Sequence, residues 1–196
     1  MSLIKFVNSY IFKKRLIYFY ALDRVESKND YVFNFNLNNL DHEFFLKEKI
    51  CSNQFLLLLD KRKFSPDWQI FIYLDNDTVQ GYSFLHIPQE SVWHDSLPTG
   101  KDEARTVSSF VEPAFRGRGI RGELLKSQKN FCIKNNKALW CVIESTNISS
   151  IRATQKSKIV MIRTNYLLKL IGRNVFSILT NPFKFFLLWG NKRVSR

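Results

Sequence analysis

The sequence is poor in cysteine, histidine, glycine and proline, and each shortage excludes a class of protein. Its 196 residues include three cysteines, three histidines, seven glycines and five prolines. The cysteines are odd in number and make no close metal-ligand pair, so we expect no disulfide, no structural metal and a reducing, cytoplasmic location. Cys141 lies in an apolar run with no visible activating partner, and a cysteine nucleophile is therefore not predicted.

Acidic residues are missing altogether after Glu144, whereas the net charge of the whole chain is +13. The acid-free segment carries ten basic residues: Arg152, Lys156, Lys158, Arg163, Lys169, Arg173, Lys184, Lys192, Arg193 and Arg196. Such a segment can meet nucleic acid, an anionic membrane or a phosphorylated ligand. A solvated basic surface without a partner is an equally simple interpretation.

Long apolar runs are also missing. The N-terminal segment is interrupted by Lys5 and by the basic residues 13–15, and it predicts no signal peptide. The C-terminal "VFSILTNPFKFFLLWG" is interrupted by Pro182 and Lys184 and falls short of the ~20 residues of a membrane span. We therefore divide the chain into an N-terminal extension (1–25), one domain (26–181) and a basic aromatic tail (182–196).

The tail is the basis of an alternative function. Its aromatic residues are Phe183, Phe185, Phe186 and Trp189. Together with the basic residues they would suit peripheral contact with a membrane surface, such as that of the inner membrane, or a binding module for nucleic acid. No nucleic-acid motif is recognisable, so we expect no nucleic-acid partner.

Hydrophobic periodicity predicts a mixed order of elements. "DYVFNFNL" alternates as a half-buried strand, and "WQIFIYL" and "VQGYSFLHI" flank a turn as a hairpin. Strands are then predicted in "ARTVSSFVE" and "ALWCVIES", each followed by a helix, with closing strands at "IVMIRTNYLLKLI" and "NVFSIL". Residues 88–103 form a long polar loop. This order indicates an α+β fold with a mixed, mostly antiparallel sheet.

The stretch "VEPAFRGRGIRGELL" suggests a phosphate-binding loop, and three interpretations compete. Gly117 and Gly122 have the spacing of a nucleotide-triphosphate loop, but Glu123 and Leu124 replace the required Lys and Ser/Thr. Gly117-x-Gly119-x-x-Gly122 also matches a dinucleotide fingerprint, with Glu144 near the expected distance. The third is a resemblance to a family motif, given below, and a solvated basic turn without a ligand is the alternative to all three. The first is excluded by the acid, and the other two stay open on spacing alone.

The same residues resemble motif A of the GNAT superfamily of acyl-CoA N-acyltransferases. In that family an apolar strand and a Pro-aromatic pair precede Arg/Gln-x-x-Gly-x-Gly/Ala at the start of a helix. The residues that correspond are Val111, Pro113, Phe115, Arg116, Gly117, Arg118, Gly119, Ile120 and Arg121. Arg121 stands where the family has a small residue. Independently, a helix start with glycines and two arginines suits an anionic group.

A second segment, "WCVIESTNISSIRATQK", resembles the family's next motif. Asn147 and Ser150 match its Asn-x-x-Ala/Ser, and a short helix carrying Lys156 follows. Thr154 stands where many members have a tyrosine that protonates the departing thiolate, and Lys158-Ile159 replaces Gly-Phe. The resemblance therefore supports cofactor binding better than it supports a general acid that protonates the departing thiolate.

The resemblance implies a sheet flanked by helices in which one parallel strand pair splays apart. Acetyl-CoA would donate its acetyl group to a primary amine of a small molecule, such as an amino sugar or an amino-acid derivative. The pantetheine arm would bind backbone at Phe110 and Val111, residues 116–121 would hold the pyrophosphate, and Asn147 and Ser150 would contact the arm. The enzyme would be a monomer or a homodimer.

An acyl transfer to an amine needs a base, and the candidates are weaker. Glu103, near the start of the strand that leads into motif A, is the first, His94 in the long loop is the second, and Glu112 is the third. Each could equally be a solvated charge. Trp93, His94 and Asp95 would shape the acceptor pocket.

Overall fold

The computed structural model describes residues 12–20, 31–37, 55, 57–58, 61–62, 65–94, 97–170, 173–180 and 184–187. Its strands are β1 (Phe12–Tyr20), β2 (Val32–Asn36), β3 (Trp68–Asp75), β4 (Thr78–His86), β5 (Val92–His94), β6 (Leu97–Thr99), β7 (Glu103–Val111), β8 (Ala138–Glu144), β9 (Val160–Leu170), β10 (Arg173–Leu179) and β11 (Lys184–Leu187). Its helices are α1 (Ile120–Lys134) and α2 (Ile148–Lys156), with a 3₁₀ turn at Pro113–Phe115. Among the described helices, none has the length and apolarity that crossing a bilayer requires.

Nine of these strands form one sheet, in the order β11-β10-β9-β1-β8-β7-β4-β3-β2. Strands β7 and β8 pair in parallel, and the other described pairs of this sheet are antiparallel. The predicted α+β class with a mixed, mostly antiparallel sheet is confirmed. This topology differs from a doubly wound parallel sheet, so the described strands do not support the dinucleotide interpretation of the glycine motif.

The hairpin of β3 and β4 follows from its turn. Asn76 and Asp77 both have positive φ, at 48° and 56°. A two-residue turn with two left-handed residues matches the twist of an antiparallel pair, and Asn and Asp tolerate that conformation best after glycine. The predicted hairpin is confirmed.

Two hydrophobic layers cover the sheet. Leu124 and Leu125 of α1 are buried against Leu85 and Leu139 on one face. On the opposite face, Phe55 is buried in a cluster with neighbours from β3 and β4: Ile70, Ile72, Val79, Tyr82 and Phe84. The segment "DHEFFLKEKICSNQFLLLLDKRKF" (41–64) begins with an Asp cap and predicts a helix from the sequence. It lies largely outside the described residues, although Phe55 itself is helical.

The sheet extends into both terminal segments. β1 pairs with β8 on one side and β9 on the other, so residues 12–20 are part of the sheet and not an extension outside it. The basic residues that interrupt this segment precede Leu16, Ile17 and Tyr18, an apolar run that faces both layers, as expected of a central strand. Part of the tail also pairs, since β11 lies beside β10. Phe183 and Trp189 lie outside the described residues.

The predicted loop of residues 88–103 contains structure of its own. β5 and β6 pair as a short antiparallel hairpin, with His94 opposite Leu97. Leu97 is buried with Ile17, Trp140 and Leu179 on the face of the sheet opposite α1. The sequence missed this hairpin because three-residue strands carry too little periodicity to recognise.

Candidate functional site

The parallel strands β7 and β8 separate half-way along β7. Their pairing runs from Glu103↔Ala138 to Thr106↔Cys141 and then stops. At the same point the register between β7 and β4 shifts, and Ser108 adopts a left-handed φ of 51°. A bulge of this kind bends its strand, so the second half of β7 turns away from β8. The predicted splayed pair is confirmed.

A chain of buried hydrogen bonds connects this bulge to α1. Thr106 donates to the side-chain oxygen of Gln128 (2.9 Å), and the Gln128 amide donates to Ser83 (3.0 Å). The hydroxyls of Ser83 and Ser109 are 2.5 Å apart. Because Gln128 and Ser83 are almost completely buried, the chain holds Ser109, on the opened part of β7, in a fixed position.

The glycine loop follows directly. Gly117 and Gly119 both have φ of 83°, a conformation that side chains avoid, and a Cβ added to either would meet no atom within 4 Å. Gly119 is the N-cap of α1 and offers no side chain to its first N–H groups. The helix start therefore faces open space with unsatisfied donors and a partial positive charge.

A groove of about 670 Å³ lies between the opened strand, the loop and α2. Its walls include nine of the ten residues predicted to bind the cofactor: Phe110, Val111, Arg116, Gly117, Gly119, Ile120, Arg121, Asn147 and Ser150. Asn147 caps α2, because its side-chain oxygen accepts the N–H of Ser150 at 3.2 Å. One groove thus joins two sequence segments that the motifs had linked only by spacing.

The groove is strongly basic. Its described lining contains five cationic side chains, Arg116, Arg121, Lys126, Arg152 and Lys156, against the single carboxylate of Glu123. Glu123 is paired with Lys126 at 2.8 Å. A polyanion would therefore be attracted to this surface.

The two arginines of the motif differ in position. Arg116 donates from Nε to the carbonyl of Val111 (3.1 Å), and its guanidinium lies 5.7 Å from the centre of the Phe110 ring. Arg118 lies over the Phe115 ring at 5.2 Å and is not part of the groove wall. Of the predicted cofactor-binding residues, Arg118 is the one that the structure does not bring into the groove.

Arg121, which replaces a small residue of the resemblance, is partly buried at the wall of the groove. Its buried Nε has no hydrogen-bond partner among the described residues, and burial lowers the pKa of its guanidinium. It lies near Cys141, whose thiol pKa is raised to about 11 by burial, against the opposing effect of Arg121. Cys141 is therefore protonated at neutral pH and is a poor nucleophile.

Of the candidate bases with described side chains, Glu103 and Glu112, neither lines the groove. The Glu103 carboxylate accepts the N–H of Gly100 at 2.8 Å and closes the turn before β7. It lies six residues before Ser109, about 20 Å at the ~3.3 Å rise of a strand. Glu112 follows β7, and its N–H donates to Gln80 (2.9 Å). The side chains of His94 and Asp95 lie outside the described residues, and the role of each candidate as a base stays a prediction.

Sequence reasoning missed part of the wall. Lys126, Ser149, Ala153 and Ser157 were not predicted to bind. Arg152 was noted as a member of a basic segment, and Lys156 as a member of that segment and of the second motif, but neither was predicted to bind the cofactor. The i, i+4 spacing of Arg152 and Lys156 places them on one face of α2, a signal that could have found them. Spacing alone does not show which part of the molecule these two side chains face, because that depends on how α2 packs on α1.

Comparison with solved structures shows to which fold this arrangement of strands and helices belongs. A GNAT-family protein from Novosphingobium aromaticivorans superposes with a TM-score of 0.55 at 10% identity, covering 79% of this chain and 62% of that one. An acetyltransferase from the GNAT family of Colwellia psychrerythraea gives 0.51 at 13% identity, covering 81% and 57%. The chain has the GNAT fold.

A third structure with this fold, a GCN5-related N-acetyltransferase from Sphaerobacter thermophilus, gives a TM-score of 0.50 at 13% identity, covering 83% of this chain and 53% of that one. The chain therefore spans about three fifths of the length of the GNAT structures it resembles. No protein-family model matches the chain, and no curated protein matches it.

Proposed function

We propose that this chain is an acyl-CoA-dependent N-acyltransferase that moves an acetyl group from acetyl-CoA to a primary amine of a small molecule. The observation that carries the proposal is the basic groove between the bulged strand β7, the glycine loop and α2. It has the size, charge and backbone donors that an extended cofactor with a pyrophosphate requires, and it lies on a GNAT fold.

In this proposal the pyrophosphate binds at the start of α1. The N–H groups of the first turn are directed at it, and Gly117 and Gly119 leave room for close approach. Arg116 and Arg121 add charge-assisted hydrogen bonds. Arg152 and Lys156 of α2 line the same groove and would neutralise a further phosphate of the cofactor.

The pantetheine arm would then run along residues 109–111 of β7. These residues have left β8, so their backbone groups on that side can pair with the amide groups of the arm as a strand would. A backbone N–H at this position would polarise the thioester carbonyl, where negative charge develops as the amine attacks. Asn147, at the opposite wall, would contact the arm with its amide.

Thr154 does not replace the tyrosine that donates a proton in many GNAT members. It is completely buried, and its hydroxyl donates to the carbonyl of Ser150 at 2.9 Å. The proton for the departing thiolate would therefore come from another group or from water. Glu103 as the base is tested by Glu103→Gln, which should lower turnover and shift its pH profile if the proposal for this residue holds.

Calorimetry with acetyl-CoA tests the function most directly. We expect binding and thermal stabilisation by the cofactor, and acetylation of amines detected by mass spectrometry. NAD is the comparison ligand, because the glycine spacing also matches a dinucleotide fingerprint. Equal or stronger stabilisation by NAD would contradict the proposal.

The predicted alternative functions gain no support. β11 pairs with β10 inside the sheet, so the aromatic residues Phe185 and Phe186 belong to a strand and not to an unstructured tail. A liposome pelleting assay with anionic vesicles would still show whether the C-terminal segment binds a membrane surface.

A further inference from the structure

A second positively charged region lies on the face of the sheet opposite the groove. Arg62 has 7% of its surface exposed, and its guanidinium lies over the rings of Trp68 (4.7 Å) and Phe84 (4.4 Å). Arg105 of β7, with 8% exposed, lies over Trp140 at 4.8 Å on the same face. A buried guanidinium has lost most of its hydration, which nearby polar groups have to replace.

Arg62 forms hydrogen bonds to two described groups. It donates to the carbonyl of Leu58 (3.3 Å) and to the hydroxyl of Ser108 (3.0 Å). Its Nε has no hydrogen-bond partner, and within the described part of the chain no carboxylate forms an ion pair with it. A guanidinium has five N–H donors, so these two hydrogen bonds leave other donors of Arg62 without a described acceptor.

The surroundings of Arg62 are positive. The imidazole of His86 is buried beside Arg105 and Arg62, and its pKa is lowered to about 4 by burial first and by the two arginines second. Burial also lowers the pKa of Arg62, to about 10. An anion that reached this region would relieve both the desolvation of Arg62 and its repulsion by Arg105.

Ser108 connects this region to the groove. It is the bulge residue at which β7 leaves β8, and the next residue, Ser109, lines the groove from the other side. Arg62 is therefore one hydrogen bond away from the strand segment where the thioester would lie. A charged group on an amine that attacks from the opposite face would come close to this guanidinium.

We propose that Arg62 binds an anionic group, a carboxylate or a phosphate, that is carried by the acceptor amine. The acceptor is then an anionic primary amine, such as an α-amino acid or a phosphorylated amino sugar, and not a neutral or polycationic amine. The planar fork of Arg62 matches either group through two parallel hydrogen bonds. This proposal rests on the proposed transferase function.

The test uses matched pairs of acceptors that differ in one anionic group. Phenylalanine is compared with phenethylamine to test a carboxylate, and glucosamine 6-phosphate with glucosamine to test a phosphate. We expect kcat/KM to be at least about tenfold higher for the anionic member of one pair or both, the size of one charge-assisted hydrogen bond. Equal kcat/KM within both pairs would overturn the proposal.

Arg62→Met should abolish the preference while leaving the affinity for CoA unchanged. Lys61→Met is the matched control, because Lys61 is exposed and its loss removes the same charge from the neighbouring position. If Arg62→Met does not fold, Arg62→Lys carries the test: it retains the charge without the fork and should reduce the preference by about threefold or more. A preference that survives these substitutions contradicts the role of Arg62.

Binding measurements separate this proposal from the transferase proposal. The same amine pairs are titrated into the protein with and without saturating CoA. If the protein does not bind CoA but binds the anionic amines in a way that depends on Arg62, only the proposed transferase function is contradicted. If CoA binds and neither anionic amine binds better than its neutral partner, only the proposal for Arg62 falls.

Discussion

The two faces of the sheet around β7 carry positive charge in different settings. On the side of α1, Arg116, Arg152 and Lys156 are exposed along an open groove. On the other side, Arg62 and Arg105 are buried among aromatic rings. Exposed cations keep most of their hydration and each contributes little, whereas a buried cation has lost its water and interacts strongly with whatever anion reaches it. The first setting suits a large polyanion, and the second suits one small charged group.

The largest expected effect comes from a substitution that blocks the open groove. Gly119→Val places a branched side chain at a φ of 83° and fills space in which no atom now lies within 4 Å. We expect the affinity for CoA to fall by about 100-fold, because the left-handed conformation costs ~1–2 kcal/mol and the side chain blocks the phosphates. Gly100→Ala is the control, since a Cβ there meets Glu103 at an ordinary 3.8 Å. Calorimetric titration measures both, and equal affinities would contradict phosphate binding at this loop.

The next effect concerns the buried face and pH. The pKa of His86 is about 4 in the folded protein and ~6.5 in the unfolded chain, so the unfolded state binds more protons between these values. The contribution of neutral His86 to the free energy of unfolding is therefore complete above pH ~6.5 and decreases as the pH falls towards 4. Between pH 7.5 and 5 we expect the free energy of unfolding to fall by about 2 kcal/mol. Urea unfolding at the two pH values measures it. His86→Gln should flatten this dependence, and an unchanged slope would show that His86 is not its source.

A smaller effect distinguishes the two arginines of the glycine motif. Arg116 lines the groove and Arg118 lies over Phe115 outside it. Arg116→Ala should weaken CoA binding by about tenfold, the value of one charge-assisted hydrogen bond, while Arg118→Ala should change it by less than about threefold. The two variants remove the same charge, so each is the control for the other. The reverse order would place the phosphates on the opposite side of the loop.

The smallest effect concerns the hydrogen-bond chain behind the bulge. Gln128→Leu leaves the Thr106 hydroxyl without its partner in the buried layer, which should cost about 1 kcal/mol of stability in urea unfolding. Gln155→Leu, at an exposed position of α2, should change stability by less than about 0.5 kcal/mol. A cost that is the same for both variants would mean that the chain does not hold β7.

Local signals explain which parts of the fold were predictable. The Asn76-Asp77 turn and the alternation in β2 depend on neighbouring residues, and the sequence predicts both. The bulge at Ser108 does not depend on neighbouring residues alone, because a left-handed serine arises from how β7 meets β4 and β8. The same holds for Arg62, whose sequence context indicates an exposed charge although packing buries it.

The candidate site also has one part that local sequence signals predict and another that they do not. Glycines with a required φ and a helix start are visible in one short motif, so the glycine-loop end of the groove could be predicted. The prediction of Glu103 as the base relied on its place in the chain and stays a prediction; in the structure its carboxylate accepts the N–H of Gly100. Proton transfer depends on atoms brought together across elements, which spacing along one strand does not reveal.

The position of β1 has a consequence for how the chain folds. β1 is the earliest of the described strands, yet its two neighbours, β8 and β9, begin more than a hundred residues later. Its edges stay open until those strands emerge, and contacts of such long sequence separation slow folding and invite wrong pairing in the meantime. A truncation that removed residues 12–20 would divide the sheet into two parts, one ending at β8 and the other at β9.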